Sequence, residues 1–433
     1  MNTKEFAKRR KQLMRMVGEE GVVLLPGAPV RTRSRDVEYR FRQDSDFYYL
    51  TGFAEPDTVA VLAPGREGGE FLLFCRERDQ GKERWDGSRA GPDGAVAEFG
   101  ADDAFPIEDI DDIVPGIIES RSRVYYNMGA YADFDARVTD WLKSLRAMGS
   151  SGTHAPYEFV ALDHLLHDMR LYKSRAEIAA MRRSAKVACR AHRRAMTTVR
   201  PGMFEYELEA EYIHEFRCAN ARYSYSPIVG GGANACTLHY VNNSEQLADG
   251  QLVLIDAGCE LDYYASDVTR TFPVNGSFTP EQRAVYDIVL EAQLAAIEKT
   301  RKGNHWNEPH DAAVRIITKG LKKLGLLKGT LPALLRDEAY REFFMHRTGH
   351  WIGIDVHDVG DYKVGDEWRL LEPGMVTTVE PGIYLPAARG VPKRWQNIGI
   401  RIEDDVAVTS NGPDVLSRHV PKDADEIEQL MAG

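Results

Sequence analysis

The sequence predicts an α+β protein of two domains, on three observations. The chain has 433 residues, more than a single core of ordinary size holds. Apolar strand-like runs punctuated by Gly and Pro occur in both halves, with helical periodicity between them. The organisation changes at HDMRLYKS, 167–174, where an α/β pattern gives way to a helix pair followed by short strands. A smaller α/β domain is therefore expected at 1–170 and a larger one at 171–433.

In the first domain, strands are predicted at 22–26 (VVLLP), 47–53 (FYYLTGF), 58–64 and 70–75. Each is apolar or aromatic and lies between turn signals such as GAP and GREGG. Helices follow near 106–120 and 132–147. The second domain opens on a helix, because Ser174 and Glu177 form a capping-box pair and Ile178, Met181, Ala185 and Ala188 recur at helical spacing. A further helix spans 205–220, after Pro201 and Gly202. Strands are predicted at 225–229, 237–241, 251–257, 262–264 and 268–273. Thr279, Pro280 and Gln282 then start a long helix with Pro at its first position, and another helix runs over 308–325. The last hundred or so residues return to strands.

Composition narrows the function classes. Hydrophobic residues make up 43% and charged residues 28%, as in globular proteins. No apolar run reaches the roughly 18 residues that span a bilayer, so no membrane association is expected. The N-terminus, MNTKEFAKRRKQLMRMV, lacks an apolar signal-peptide core, which makes a cytoplasmic location the expectation. Cys75, Cys189, Cys218, Cys236 and Cys259 show no CxxC spacing and read as free thiols. A net charge of −11 argues against nucleic acid as partner. The basic stretches Arg31–Arg35 and Arg190–Arg194 read as solvated faces.

The chemistry lies in acids and imidazoles set within apolar runs. Asp256 stands in LVLIDAGCE, Asp267 in YYASDVTRTF, His350 in HRTGHWIGIDVHD, Glu380 in MVTTVEPGIY and Glu403 in IGIRIEDDVAV. A carboxylate beside Val, Ile and Leu is costly unless it is paired or binds a metal. GCELDYYAS suits a hairpin that would bring Asp256 and Asp267 to one side, where a dication would remove their repulsion. His346 and His350 lack the intervening Glu of a zincin helix. His357 follows within the same Gly-rich segment. Pro381 and Gly382 should hold Glu380 at a strand end, and Arg401 should share a strand face with Glu403. The Gly230–Gly232 run lacks a P-loop ending and reads as a substrate-facing loop.

Taken together, IVGGGANACTLHY (228–240), IDAGCELDYYASDVTRTFPVNG (255–276), HRTGHWIGIDVHDVG (346–360), VEPGIY (379–384) and NIGIRIEDDVAVT (397–409) resemble the pita-bread metallopeptidases, in particular the aminopeptidase P (Xaa-Pro aminopeptidase) family. YRFRQDSDFYYLTGF (39–53) resembles that family's non-catalytic N-terminal domain. The resemblance implies a C-terminal pita-bread catalytic domain that removes the residue before a second-position proline, by means of a hydroxide bridging two metal ions. It implies Asp256 on one metal, Asp267 and Glu403 bridging, and His350 and Glu380 on the other. Oxygen donors with one imidazole favour Mn²⁺, with Co²⁺ or Zn²⁺ as alternatives. Glu380 is implied as proton shuttle, His357 as oxyanion stabiliser, and His239 and His346 as substrate-positioning residues. Arg401 would orient a bridging carboxylate, and Trp351 and Tyr384 would wall the proline pocket. A homodimer or homotetramer is implied, with Trp85 in ERWDGSRAGPDG reaching a neighbouring subunit's site. Prolidase, restricted to dipeptides, is the nearest alternative, and Arg389 and Arg394 are its candidate carboxylate anchors. Methionine aminopeptidase is disfavoured by the long N-terminal domain, and a metal-free binding protein by the complete ligand set.

Overall fold

The structure is a computed structural model that describes residues 1–149, 152 and 154–433. The chain divides into two compact units, Met1–Met169 and Arg170–Gly433.

The first unit is built on a six-stranded mixed sheet. Its elements run α1 (Thr3–Val17), β1 (Gly21–Pro26), β2 (Thr32–Ser34), β3 (Val37–Glu38), α2 (Ser45–Thr51), β4 (Val59–Leu62), β5 (Phe71–Cys75), α3 (Gln80–Asp86), α4 (Gly91–Phe99), β6 (Asp103–Pro106), α5 (Ile110–Ile118), β7 (Arg123–Tyr125), α6 (Ala132–Ala147) and β8 (Glu158–Val160), and α7 (Asp163–Leu171) leads across the division. Strand order is β6-β5-β4-β1-β7-β8, with β2 and β3 in a separate hairpin. The β1 and β4 residues are buried on both faces, which explains their unbroken apolar runs.

The segment 47–53 is a helix, α2, and not the expected strand. Its aromatics misled, because both ends are capped as a helix and the alternating burial of Ser45, Phe47 and Tyr49 imitates a strand. Asp44 accepts from the Phe47 N–H at 3.0 Å, and Gly52 closes the helix at φ 69°. Two buried arginines of α1 pin it from outside, Arg9 to the Tyr49 carbonyl and Arg10 to the Leu50 carbonyl, both at 2.9 Å.

The second unit continues with α8 (Arg175–Thr198), α9 (Glu205–Cys218), β9 (Arg222–Tyr223), β10 (Ile228–Gly231), β11 (Leu252–Asp256), β12 (Cys259–Leu261), β13 (Tyr264–Ala265), β14 (Thr269–Pro273), α10 (Pro280–Lys299), α11 (Glu308–Lys323), α12 (Leu331–Arg336), β15 (Lys363–Val364), β16 (Glu367–Trp368), β17 (Val376–Val379), β18 (Gly382–Leu385), β19 (Ile398–Arg401), β20 (Asp404–Thr409), β21 (Gly412–Val415) and α13 (Ala424–Ala432). The capping boxes at Ser174–Glu177 and Thr279–Gln282 form as the sequence predicts. The helices pack one large apolar core against short antiparallel sheets ordered β10-β11-β14, β13-β12-β9 and β17-β20-β21, with a β18-β19 pair.

Two expected strands are absent. Residues 237–241 carry no regular element, and 262–264 is mostly a turn in which Asp262 and Tyr263 take φ of 53° and 69°. That turn joins β12 to β13 and lengthens the excursion between β11 and β14. Gly230 and Gly231 lie in buried β10 rather than in a substrate-facing loop. A Cβ on Gly230 would stand 2.9 Å from the Ala235 backbone nitrogen, so packing selects glycine there.

One buried histidine ties the helices to the strands that matter. Burial lowers the His192 pKa to about 3, so its ring is neutral. Nδ1 accepts from the Tyr212 hydroxyl at 2.7 Å. Nε2 then carries the proton and donates to the carbonyls of Val268 at 2.9 Å and Ala257 at 3.3 Å. Those are the residues directly after Asp267 and Asp256.

Candidate metal centre

Backbone pairing brings the acids together. Asp256 closes β11 opposite Thr269 of β14, which leaves Asp267 just ahead of that pair. Glu380 follows β17 directly, and Glu403 lies between β19 and β20. The His350 N–H donates to Thr378 Oγ1 at 3.0 Å, which sets that loop against β17. His350 Nδ1 lies 2.9 Å from the Trp351 carbonyl and must donate to it. Nε2 thereby faces Asp267 Oδ2, at 3.4 Å, and Glu380 Oε1, at 3.6 Å. Donor atoms of Asp267, His350 and Glu403 all lie within 4.8 Å of one another.

The cluster is electrostatically frustrated as protein alone. Burial, then the neighbouring acids, push Glu403 well above the usual carboxylate range. Burial likewise raises Asp256 against the opposing charge of Arg401, and lifts Glu380 to about 7 against that of His350. For Asp267, burial is outweighed by the His350 hydrogen bond, and the group stays below its usual value. His350 itself is drawn up to about 9 by Asp267 and Glu380 despite its burial. Four carboxylates thus converge on one imidazole and one guanidinium. Divalent cations fit this donor set, because they hold every carboxylate ionised and take over the charge that a protonated His350 otherwise supplies.

The supporting groups form a relay. Arg401 Nη2 donates to Asp256 at 2.7 Å, and Nη1 donates to the Tyr384 hydroxyl at 2.8 Å. That hydroxyl donates in turn to His346 Nε2 at 2.8 Å. His346 is neutral, its pKa lowered to about 3 by burial and by Arg401. Arg401 therefore serves Asp256 and not, as its spacing suggested, Glu403, which accepts from Thr269 Oγ1 at 2.6 Å. The strand breaks between Arg401 and Glu403, so the two do not share a face of one strand.

These groups open onto a cavity of about 430 Å³. His239, His346, His357 and the five donors line it, with Ile228, Leu238, Val241 and Val356 supplying apolar wall. His239 and His357 are exposed to it, and the His357 ring stands edge-on to His350 with centroids 4.5 Å apart. Trp351 and Tyr384 do not form the wall. Tyr384 is 1% exposed behind Arg401 and His346. Trp351 is fully buried in a separate cluster with Leu171, Leu371, Met375 and Val408, stacked near Tyr362. Its position next to His350 explains the misreading, because the loop sends these two neighbouring side chains into different surroundings. Trp351→Ala is expected to destabilise the protein by about 3–5 kcal/mol, as a large core truncation does. Denaturant titration checks this, and unchanged stability would contradict the packing role. Trp85 lies in α3 of the first unit and is 91% exposed. Arg389 and Arg394 are exposed and do not line the cavity, whereas Arg347 does.

Sequence reasoning missed Tyr225 and Asp405. The Tyr225 hydroxyl contacts both Asp256 and Asp267, sharing one proton between two carboxylates. Asp405 accepts the Asp267 N–H through both oxygens, at 3.3 and 3.2 Å. Tyr225 carried no motif signal, but the run Glu403-Asp404-Asp405 marked an unusual density of buried acid.

A two-unit chain with an acid-rich, imidazole-containing donor cluster in its strand-bearing second unit defines a metallohydrolase. The chain belongs to metallopeptidase family M24, which matches residues 179–410, and residues 6–125 match the aminopeptidase P N-terminal domain. The second unit is accordingly the pita-bread domain of that family. The Xaa-Pro aminopeptidase of Escherichia coli K12 is 46% identical over 433 residues, covering 100% of this chain and 98% of that one. The structure of Pseudomonas aeruginosa aminopeptidase PepP superposes with a TM-score of 0.99 at 58% identity, covering 100% of this chain and 98% of that one. Zinc-substituted E. coli aminopeptidase P in complex with product gives a TM-score of 0.97 at 45% identity, covering 100% and 98%. Among the described residues, no helix is long and apolar enough to cross a membrane.

Proposed function

We propose that this protein is a metal-dependent Xaa-Pro aminopeptidase, releasing the N-terminal residue from peptides with proline second. The observation that carries this is that Asp256, Asp267, His350, Glu380 and Glu403 line one partly apolar cavity, with donor atoms of Asp267, His350 and Glu403 within 4.8 Å of one another. The full-length likeness to Xaa-Pro aminopeptidases supports it. Asp256 would hold one cation, Asp267 and Glu403 both, and His350 and Glu380 the other. Mn²⁺ suits the mostly oxygen donors. The E. coli relative in complex with product is a zinc-substituted form, which supports a different native ion.

When bound, two cations would supply Lewis acidity for the scissile carbonyl and for a water near neutral pH. The side chains supply the rest. Glu380 accepts the proton of the attacking water and passes it to the leaving proline nitrogen. His357, exposed over the cluster, donates to the carbonyl oxygen as negative charge develops there. His239 and His346 border the bound peptide, and the Arg401–Tyr384–His346 relay fixes both Asp256 and the His346 ring. An Xaa-Pro bond has no N–H, so selection falls on the shape of the ring, for which Leu238, Val241 and Val356 offer apolar surface.

The division near residue 170 supports separate roles, with catalysis in 171–433 and assembly and access in 1–170. We expect a cytoplasmic homodimer or homotetramer in which the exposed Trp85 approaches a neighbour's cavity. Nucleic acid and membranes are not expected partners. A length series from Ala-Pro to Ala-Pro-Ala and longer peptides tests the substrate, and sedimentation tests the assembly. Release of alanine from peptides longer than two residues is the expected result. Activity confined to Ala-Pro would shift the assignment to prolidase, and a fully active monomer would remove Trp85 from the site.

A further inference from the structure

We propose that Asp358, clamped by Arg170 and Lys173, is the positioning residue for His357, fixing the backbone on which that imidazole stands. The inference rests on the role given to His357 above. His357 is exposed to the cavity, and among the described residues its side chain makes no hydrogen bond. Its ring meets that of His350 edge-on, which sets no direction as a hydrogen bond would. The placement of its nitrogens therefore comes from the loop backbone.

The next residue is its opposite. The Asp358 side chain is 1% exposed. Oδ1 accepts from Arg170 Nη2 at 2.6 Å, and Oδ2 accepts from Lys173 Nζ at 2.8 Å. Arg170 Nη2 also donates to Asp355 at 2.7 Å. Lys173 is as buried as its partner, at 1%. Arg170 thus bridges two carboxylates, the buried Asp358 and the 34% exposed Asp355. Swinging Asp358 away would strand buried cations, an expensive outcome that keeps the loop from sampling other positions.

The loop backbone is tied to the same anchor. The Asp358 N–H donates to the Trp351 carbonyl at 2.9 Å, and the Gly353 N–H to the Asp355 carbonyl at 3.0 Å. The Gly353 carbonyl accepts from Ala265 at 2.8 Å, two residues from Asp267. Gly353 is the seat of the clamp. A Cβ there would stand 2.2 Å from Asp358 Oδ2 and 2.8 Å from Lys173 Cε. The first residues of the second unit thus set the loop that carries His357.

A double-mutant cycle in the metal-loaded, full-length protein separates positioning from mere support of the fold. Asp358→Asn removes the charge. Gly353→Ala displaces the carboxylate without removing any charge, and it serves alone if Asp358→Asn does not fold. Each is expected to lower kcat on Ala-Pro-Ala by about 10–100-fold, the effect of a misplaced catalytic group. KM and metal content should stay within about twofold of wild type, since neither substitution touches a donor. In a His357→Ala background, neither should lower kcat further. A second loss of the same size in that background, or wild-type kcat in both single variants, would overturn the proposal. Wild-type kcat in His357→Ala itself would instead remove the role on which it stands.

Discussion

Chelation is expected to abolish hydrolysis of Ala-Pro-Ala, by at least about a thousandfold, and added Mn²⁺ is expected to restore it. The magnitude follows from what the side chains cannot do unaided. None of them alone makes a nucleophile strong enough for an amide at neutral pH, and bringing water from a pKa of about 15.7 to about 7 is the contribution of a bound cation. The structure adds a second expectation. Burial, with neighbouring like charges, holds Asp256, Glu380 and Glu403 above their usual pKa. Cations that satisfy them bind the folded chain and not the unfolded one. Metal at about 100 times its dissociation constant should therefore stabilise the fold by about 2.7 kcal/mol for each site. Activity and thermal unfolding of chelated, Mn²⁺-loaded and Zn²⁺-loaded protein test both together. Full activity in rigorously metal-free protein would end the two-metal reading. A metal-independent Tm would show that these five groups are not the binding site.

Much of this was legible in the chain because burial leaves a strong trace. An acid within LVLIDAGCE or VTTVEPGIY is out of place unless something compensates it, and each of the five such groups reaches the cluster region of the second unit. Helix starts were equally plain at Ser174 and Thr279, where both halves of a capping box are local in sequence. What failed was orientation and partnership. Nothing in HRTGHWIGIDVHD says that Trp351 faces a second core while His350 and His357 face the cavity, since a loop has no fixed period. Arg401 and Glu403 looked like partners because they are two residues apart, yet a break between β19 and β20 sends the guanidinium to Asp256. Tyr225 and Asp358 act through contacts 31 and 185 residues away, to Asp256 and Lys173, and such contacts exist only once the fold does. The α2 segment shows the reverse error, since its aromatic residues carry strand propensity that caps and tertiary burial override.

Glu380→Gln and His357→Ala are expected to lower kcat far more than they alter KM. Both groups act on charge that appears only as the bond breaks, so their loss falls on the transition state and not on the bound peptide. For Glu380→Gln the loss should be about 10²–10⁴-fold, because the amide can neither accept the water proton nor return it to the proline nitrogen. Glu380 also faces His350 at 3.6 Å and belongs to the donor set, so its substitution carries a second consequence. Metal content separates the two. A variant that retains both metals yet has lost kcat has lost its proton shuttle, whereas one that regains kcat at high Mn²⁺ has lost only a ligand. His357 touches no donor beyond the edge of the His350 ring, so metal content should be unchanged while kcat falls about 10²–10³-fold, as when one oxyanion donor is removed. Circular dichroism should match wild type for both, since His357 is exposed and the Glu380→Gln exchange conserves volume. Wild-type kcat in either variant would strike that residue from the mechanism. A selective rise in KM for His357→Ala would recast it as a group that binds the ground-state peptide, and the charge on the scissile oxygen would then need another donor, for which His239 is the remaining exposed imidazole on the cavity wall.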